Sequence, residues 1–341
     1  MALAFGIFDH LDQKPEAPAR TLADRIEVVR AAEAGGFRGY HLAEHHGTPL
    51  GLGSSPGVFL AAVAQATSRI RLGPLVYLLP LYEPLRLLEE ICLLDHLSNG
   101  RLEVGVGRGI SPIEIGFFGV DPAETAAMAD EALAVIRAGL SHERLTFEGR
   151  YYHYHDVPMA LRPLQDPIPF WSASMSPEGL AAAARGGMHT AALGNVDMVR
   201  TALATYRAAA STCAEDPLRR RFGVTDPLHG MYRIVVVADT DAQAERLARP
   251  AYQDWFAKLI KLWREHGVEA PHLGPLDRFE VAVDIGMTVH GSPARVAEQL
   301  AAQVEASGVN YLLTQLAFGD LSHAAEMRSL ELFVEQVMPR L

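Results

Sequence analysis

The sequence predicts an α/β protein of the (β/α)8 class, the TIM barrel, with an excursion hairpin and a long lid-like insertion before the last strand. Three observations carry this. Short β-prone runs alternate with longer amphipathic stretches, the signature of parallel strands joined by crossover helices. Eight such strand-helix pairs can be read along the chain, the number that closes a barrel. Finally, the residues with most chemical capacity fall just after predicted strands, where a barrel of this kind has its mouth.

Strands are expected at residues 3–8, 39–42, 70–77, 102–106, 168–171, 190–193, 232–237 and 311–315. Helices are expected at 21–34, 56–68, 83–97, 122–140, 176–184, 198–210, 241–257 and 292–307, with a last one at 323–337. Local chemistry marks several boundaries. Asp121-Pro122 and Ser292-Pro293 put proline just inside a helix start, and Gly35-Gly36 and Gly308 follow helix ends. Two stretches break the rhythm. Residues 146–157 alternate aromatic and polar side chains, as an excursion strand or hairpin outside the barrel would. Residues 250–285, carrying Trp255, Trp263, His266 and His272, are too long for a plain connection and form a lid candidate.

Length and composition fit one enlarged barrel. The 341 residues are 49% hydrophobic and 21% charged, which excludes disorder and small disulfide scaffolds, and residues 1–341 are expected to form a single domain. Thirty Lys and Arg against 41 Asp and Glu give a net charge of −11, so neither nucleic acid nor an anionic membrane is an expected partner. Any anionic ligand must be held locally. Two cysteines, Cys92 and Cys213, make neither a disulfide framework nor a CxxC zinc site, and the apolar run of MALAFGIFDH stops at Asp9, too soon for a signal core. A cytoplasmic protein is expected. The basic triplet Arg219-Arg220-Arg221 reads as a solvated loop face, with an interaction patch as the alternative.

Four strand ends would converge on one mouth: HLAEHHG after strand two, LVYLLP in strand three, GVGRGIS after strand four and WSASMS after strand five. Glu44, His45 and His46 set a carboxylate beside two imidazoles, and an imidazole exchanges protons near neutral pH. His41 and His46 could equally bond the barrel wall. A metal site is disfavoured by the absence of HExxH spacing, and none is expected. The Gly107-Arg108-Gly109 turn fails the GxGxxG spacing but offers amides and a guanidinium, a pairing suited to phosphate. Ser174, Met175 and Ser176 add hydroxyls and amides at a predicted helix start, where an anion is favoured.

These segments resemble the bacterial luciferase-like flavin-dependent monooxygenases. The resemblance runs from AFGIFDH through AEAGGFRGYHLAEHH and LGPLVYLLPLYEPLRLLEEICLLDHLSNGRLEVGVGRG to GSPARVAEQL and SLELFVEQVMP. It implies a two-component enzyme: reduced FMN arrives from a flavin reductase, reacts with dioxygen to a C4a-peroxyflavin, and oxygenates a small organic substrate. In that pattern His45 is the catalytic acid or base, flanked by Glu44 and His46, and tuned by Glu44. Arg108 of the GRG turn, with Gly109, holds the phosphate, joined by Ser174, Met175 and Ser176. Leu75 and Val76 match a non-prolyl cis peptide beneath the flavin ring. Where many members carry a second basic phosphate ligand, this chain reads Thr125-Ala126-Ala127-Met128.

The resemblance also implies a homodimer, and the helices at 56–68 and 83–97 carry Ile91, Leu93 and Leu94 for such an interface; packing on the barrel explains these residues equally well. Three other functions stay open at this point: a deazaflavin-dependent dehydrogenase on the same barrel, a metal-dependent barrel hydrolase, and a non-catalytic flavin-binding protein.

Overall fold

The computed structural model describes residues 3–270 and 273–341. The chain begins with β1 (Ala4–Asp9), α1 (Pro18–Ala34), β2 (Gly39–Leu42), α2 (Pro56–Ala66), β3 (Arg71–Pro74), β4 (Tyr77–Leu78), α3 (Pro84–Leu97), β5 (Val104–Gly107), α4 (Pro112–Phe117) and α5 (Thr125–Ser141). An antiparallel hairpin follows, β6 (Arg144–Glu148) and β7 (His153–Pro158), then β8 (Phe170–Ser172), α6 (Pro177–Arg185), β9 (His189–Ala192), α7 (Val196–Thr212) and α8 (Pro217–Phe222). The last third holds β10 (His229–Val237), α9 (Asp241–Leu259), α10 (Lys261–Glu265), α11 (Phe279–Asp284), β11 (Thr288–Gly291), α12 (Pro293–Ser307), β12 (Tyr311–Gln315) and α13 (His323–Leu332).

The main sheet is parallel throughout, in the order β3-β2-β1-β12-β10-β9-β8-β5-β4. Its two ends, β3 and β4, are halves of one strand interrupted at Leu75-Val76, and a bridge from Leu72 to Leu102 brings the first half back against the β5 segment. The ring therefore closes as the expected barrel. Glycine permits the closure: a Cβ on Gly73 would stand 1.6 Å from the Glu103 carbonyl oxygen, and one on Gly105 would stand 2.3 Å from that of Pro74. The excursion at 146–157 is the β6–β7 hairpin.

Outside the ring, each helix buries one apolar stripe against the strands. α3 does so with Leu87, Leu88, Ile91 and Leu94, each worth roughly 1.5–3 kcal/mol of transfer free energy. α6 starts where Ser176 accepts from the Gly179 amide at 3.1 Å, and α12 ends at Gly308 in the left-handed region, φ 72°.

Four expectations need correction. Pro122 opens a turn in which Asp121 accepts from the Ala123 amide, and the helix proper starts at Thr125. The expected strands do not include β11; its four residues pair with the far half of β10, Ile234 to Val237, and too few residues alternate there for a strand to stand out. Pro250 lies inside α9, so the expected lid begins in mid-helix; His272 lies outside the described residues. The arginine triplet lies on α8 rather than in a loop, and each of its side chains has a protein partner. Arg219 donates to the Ala184 carbonyl, Arg220 pairs with Glu215, and Arg221 with Asp166.

The end of the barrel opposite the mouth is sealed by charge. Glu103, fully buried, accepts from Arg38 at 2.7 and 3.2 Å, from the Trp171 indole at 2.6 Å, and from Arg71. Burial pushes its carboxyl up, but Arg38, His189 and Arg71 outweigh that and hold it far below the usual carboxylate range. Above this seal His41 bonds the Tyr311 hydroxyl at 2.9 Å, and burial pulls its pKa down to about 3. His41 is thus a neutral wall residue.

Candidate active site

Glu44, His45 and His46 leave the barrel wall at the end of β2 and are sorted between two carboxylates. Glu44 accepts from Nε2 of His46 at 2.8 Å with one oxygen; the other takes the Leu78 amide at 3.2 Å and the Tyr82 hydroxyl at 2.9 Å. His45 instead places Nδ1 3.2 Å from Oε1 of Glu114, whose Oε2 accepts the His46 amide at 2.8 Å. The expected Glu44–His45 pairing is therefore replaced: Glu44 serves His46, and Glu114, from α4, serves His45. Burial raises the Glu114 carboxyl, but the hydrogen bond and charge of His45, with the His46 amide, bring it below its ordinary value.

Sequence reasoning missed Glu114, although Ser111-Pro112-Ile113-Glu114 has the spacing of a capping box and Ser111 does cap α4. It also missed His10, the residue just beyond β1. Its ring lies 5.5 Å from that of His45 and 5.8 Å from that of Trp255, whose indole N–H donates to Nδ1 of His10 at 3.3 Å. Burial, reinforced by the nearby His45, keeps His10 well below the usual histidine pKa. The strand-end rule used for His45 would have found it.

Across the mouth, the Leu75-Val76 peptide is cis, with Leu75 buried and Val76 half-buried. Gly107 lies against it: a Cβ there would come within 2.5 Å of Cγ2 of Val76. Arg108 follows, exposed and without an ion-pair partner among the described residues, and Gly109 turns the chain in the left-handed region, φ 84°. Val106 is paired with Ser172 in the sheet, so Arg108 and Ser174 each lie two residues beyond paired positions on adjacent strands. Ser174 packs over Gly179, where a Cβ would meet its Oγ at 2.0 Å, and its Oγ lies 3.5 Å from that of Ser176. Met175 is half-buried between the two. In place of a second basic ligand, Thr125 is buried and donates to the Pro122 carbonyl.

The roof is made by α9 and the segment after it. Tyr252, Trp255 and Phe256 join a buried cluster with Tyr232, Ile234 and Leu50, while Thr48 of the β2 loop donates to the Lys258 carbonyl at 3.1 Å. His266 reaches Phe117 of α4, ring centres 6.1 Å apart. Beneath the roof Asp12 lies near Lys258 and accepts from the Gly319 amide at 2.6 Å; burial lifts its carboxyl to about 6 against the pull of Arg25 and Lys258. Among the described residues, the trio with ligand atoms close enough to share a metal is Asp24, Glu27 and His323, on α1 and at the start of α13 rather than at these strand ends.

A parallel barrel that gathers histidines and carboxylates on one side of its mouth, and an exposed arginine and a helix start on the other, has the layout of an enzyme active site. Comparison with known proteins narrows the class. The sequence model of the luciferase-like monooxygenases matches residues 1–311, and the chain belongs to that family of monooxygenases. It is 41% identical over 339 residues to protein y4wF of Sinorhizobium fredii (strain NBRC 101917 / NGR234), covering 99% of this chain and 97% of that one. It is 29% identical to the 4-hydroxyprotoasukamycin monooxygenase of Streptomyces nodosus subsp. asukaensis, covering 99% and 92%. Its fold matches the oxygenating constituent of 3,6-diketocamphane monooxygenase of Pseudomonas putida, a type II Baeyer-Villiger enzyme solved with FMN, at TM-score 0.80, 24% identity and coverage of 99% and 98%.

Proposed function

We propose that this chain is the oxygenase component of a two-component flavin-dependent monooxygenase, taking reduced FMN from a separate reductase and oxygenating a small organic substrate with dioxygen. The observation that carries the reading is the register of β5 with β8, by which Arg108 and Ser174 each follow two residues after a paired position on adjacent strands, just before the start of α6. That donor set suits a phosphate monoester dianion, and it gives an acidic chain a local anion site. When bound, the flavin supplies the activation of dioxygen that no side chain provides.

The chain's residues do the rest. Arg108, Gly109, Ser174 and Ser176 hold the phosphate end; Leu75, Val76 and Met175 line the ring edge. His45 accepts or returns a proton at Nε2, a contribution typically of about 10²–10⁴-fold. Trp255 and its neighbours on α9 exclude water from the mouth. Glu44 and His46 brace the loop from which His45 projects. We place the enzyme in the cytoplasm, on its two free cysteines; no helix among the described residues is long and apolar enough to cross a membrane. We also propose a homodimer through the outer face of α2 and α3, where Val58, Leu93 and Leu97 are exposed; Ile91 and Leu94 belong to the core instead.

The test is anaerobic titration with reduced FMN followed by mixing with oxygenated buffer. Saturable binding and a transient absorbance preceding that of oxidised flavin are expected. Failure to bind reduced FMN, or binding of a reduced deazaflavin in its place, would sink the reading.

A further inference from the structure

We infer that Glu114 is the positioning residue that fixes the tautomer of His45, leaving Nε2 of that imidazole as its open lone pair. The inference deepens the proposed role of His45 and rests on it. An ionised carboxylate is an acceptor only, so the 3.2 Å contact with Oε1 of Glu114 requires the hydrogen on Nδ1 of His45. Glu114 is buried and its carboxyl is held below the ordinary value, which keeps it an acceptor at neutral pH.

The local alternative for this side chain is unused. A glutamate three residues after a serine cap ordinarily turns back to the cap amide. Here Ser111 makes its half of the box, accepting from the Glu114 amide at 3.3 Å, while both Glu114 oxygens reach across to the loop after β2: one to the ring of His45, the other to the amide of His46. The second contact fixes the carboxylate's orientation, so the first can fix the ring. No neighbour substitutes for it. Glu44 is filled by His46, Leu78 and Tyr82, and His10 meets His45 ring against ring.

The experiment is NMR of the full apo-chain with ¹⁵N-labelled histidine, His45 being assigned by its loss in His45→Gln. In the wild type, read at a pH at which the ring is neutral, Nδ1 of His45 should carry the hydrogen, its proton strongly deshielded by the carboxylate, and Nε2 should show the lone pair. Glu114→Ala should move the hydrogen to Nε2, the form preferred by free histidine. Glu114→Gln, which retains shape and guards against a misfolded alanine variant, should shift that proton upfield because its acceptor is neutral. Both variants should bind reduced FMN within about threefold of the wild type. An Nδ1–H signature that survives in Glu114→Ala, or in Glu114→Gln with its deshielding intact, overturns the inference. The proposed role of His45 fails separately, if His45→Ala retains coupled turnover while the tautomer still depends on Glu114.

Discussion

Trp255 on α9 donates its indole N–H to Nδ1 of His10 at the end of β1, 3.3 Å away, so a helix following the seventh barrel strand is tied to the first. The contact is almost fully buried, with Trp255 4% and His10 7% exposed. Removing the indole leaves both a cavity and an acceptor without its donor. Trp255→Ala should cost about 3–5 kcal/mol in urea unfolding, and Trp255→Phe, which keeps much of the volume but loses the N–H, about 1–2 kcal/mol. A Trp255→Phe protein as stable as the wild type would show that the hydrogen bond contributes nothing beyond packing.

The barrel was legible in the sequence because strand and helix periods alternate over most of the chain, and because strand ends carry the chemistry. That rule alone nominates His45, Arg108 and Ser174. Glu114 was hidden for a physical reason: it sits on α4, six residues that were not recognised as a helix, and its partner is 69 residues earlier in the chain. The spacing of Glu44 to His45 is equally silent about which imidazole the carboxylate meets. Chain neighbours in an irregular loop need not face each other, and only the positions of Leu78 and Tyr82 commit Glu44 to His46.

Arg108 has no acceptor to lose among the described residues, so its replacement separates binding from stability. Arg108→Ala should leave the melting temperature unchanged and weaken reduced FMN by roughly 10–100-fold, the range of one or two charge-assisted hydrogen bonds. Reduced riboflavin, lacking the phosphate, should bind both proteins alike. Parallel losses for the two flavins, measured by anaerobic fluorescence titration, would place the arginine elsewhere than at the phosphate.

His41 should make the barrel sensitive to acid. Its folded pKa of about 3 lies below the ordinary 6.5, chiefly through burial, so the unfolded chain takes up its proton first as the pH falls. Stability from this group is therefore complete above pH 6.5 and is lost progressively down to about pH 3. At about 1.4 kcal/mol per unit, roughly 2–3 kcal/mol should disappear between neutrality and about pH 4.5. His41→Gln keeps a hydrogen-bonding group near Tyr311 but cannot titrate. Its urea midpoint should fall less steeply with acid than that of the wild type; His189 and His229, both lowered by burial to about 4, and His10 and His290, lowered by burial too, keep part of the slope. Superimposable pH profiles would remove His41 from the acid response.

Gly73 and Gly116 should respond to the same added methyl in opposite directions. A Cβ at Gly73 would meet the Glu103 carbonyl oxygen at 1.6 Å, a backbone atom that can move only by parting β3 from the segment leading into β5. That segment carries the carboxylate bound by Arg38, Arg71 and Trp171, so the displacement would also disturb a buried ionic contact. Overpacking alone costs about 1–3 kcal/mol, and a disturbed buried ion pair about 3–5 kcal/mol. Gly73→Ala should therefore accumulate poorly or melt far below the wild type. A Cβ at Gly116, inside α4, meets nothing within 4 Å, and alanine there should stabilise by about 0.5–1 kcal/mol through reduced chain entropy. Because α4 also carries Glu114, a firmer helix should leave the Nδ1 hydrogen of His45 in place. A Gly73→Ala protein that melts with the wild type would mean that the barrel closes here with more slack than the Leu72–Leu102 bridge suggests.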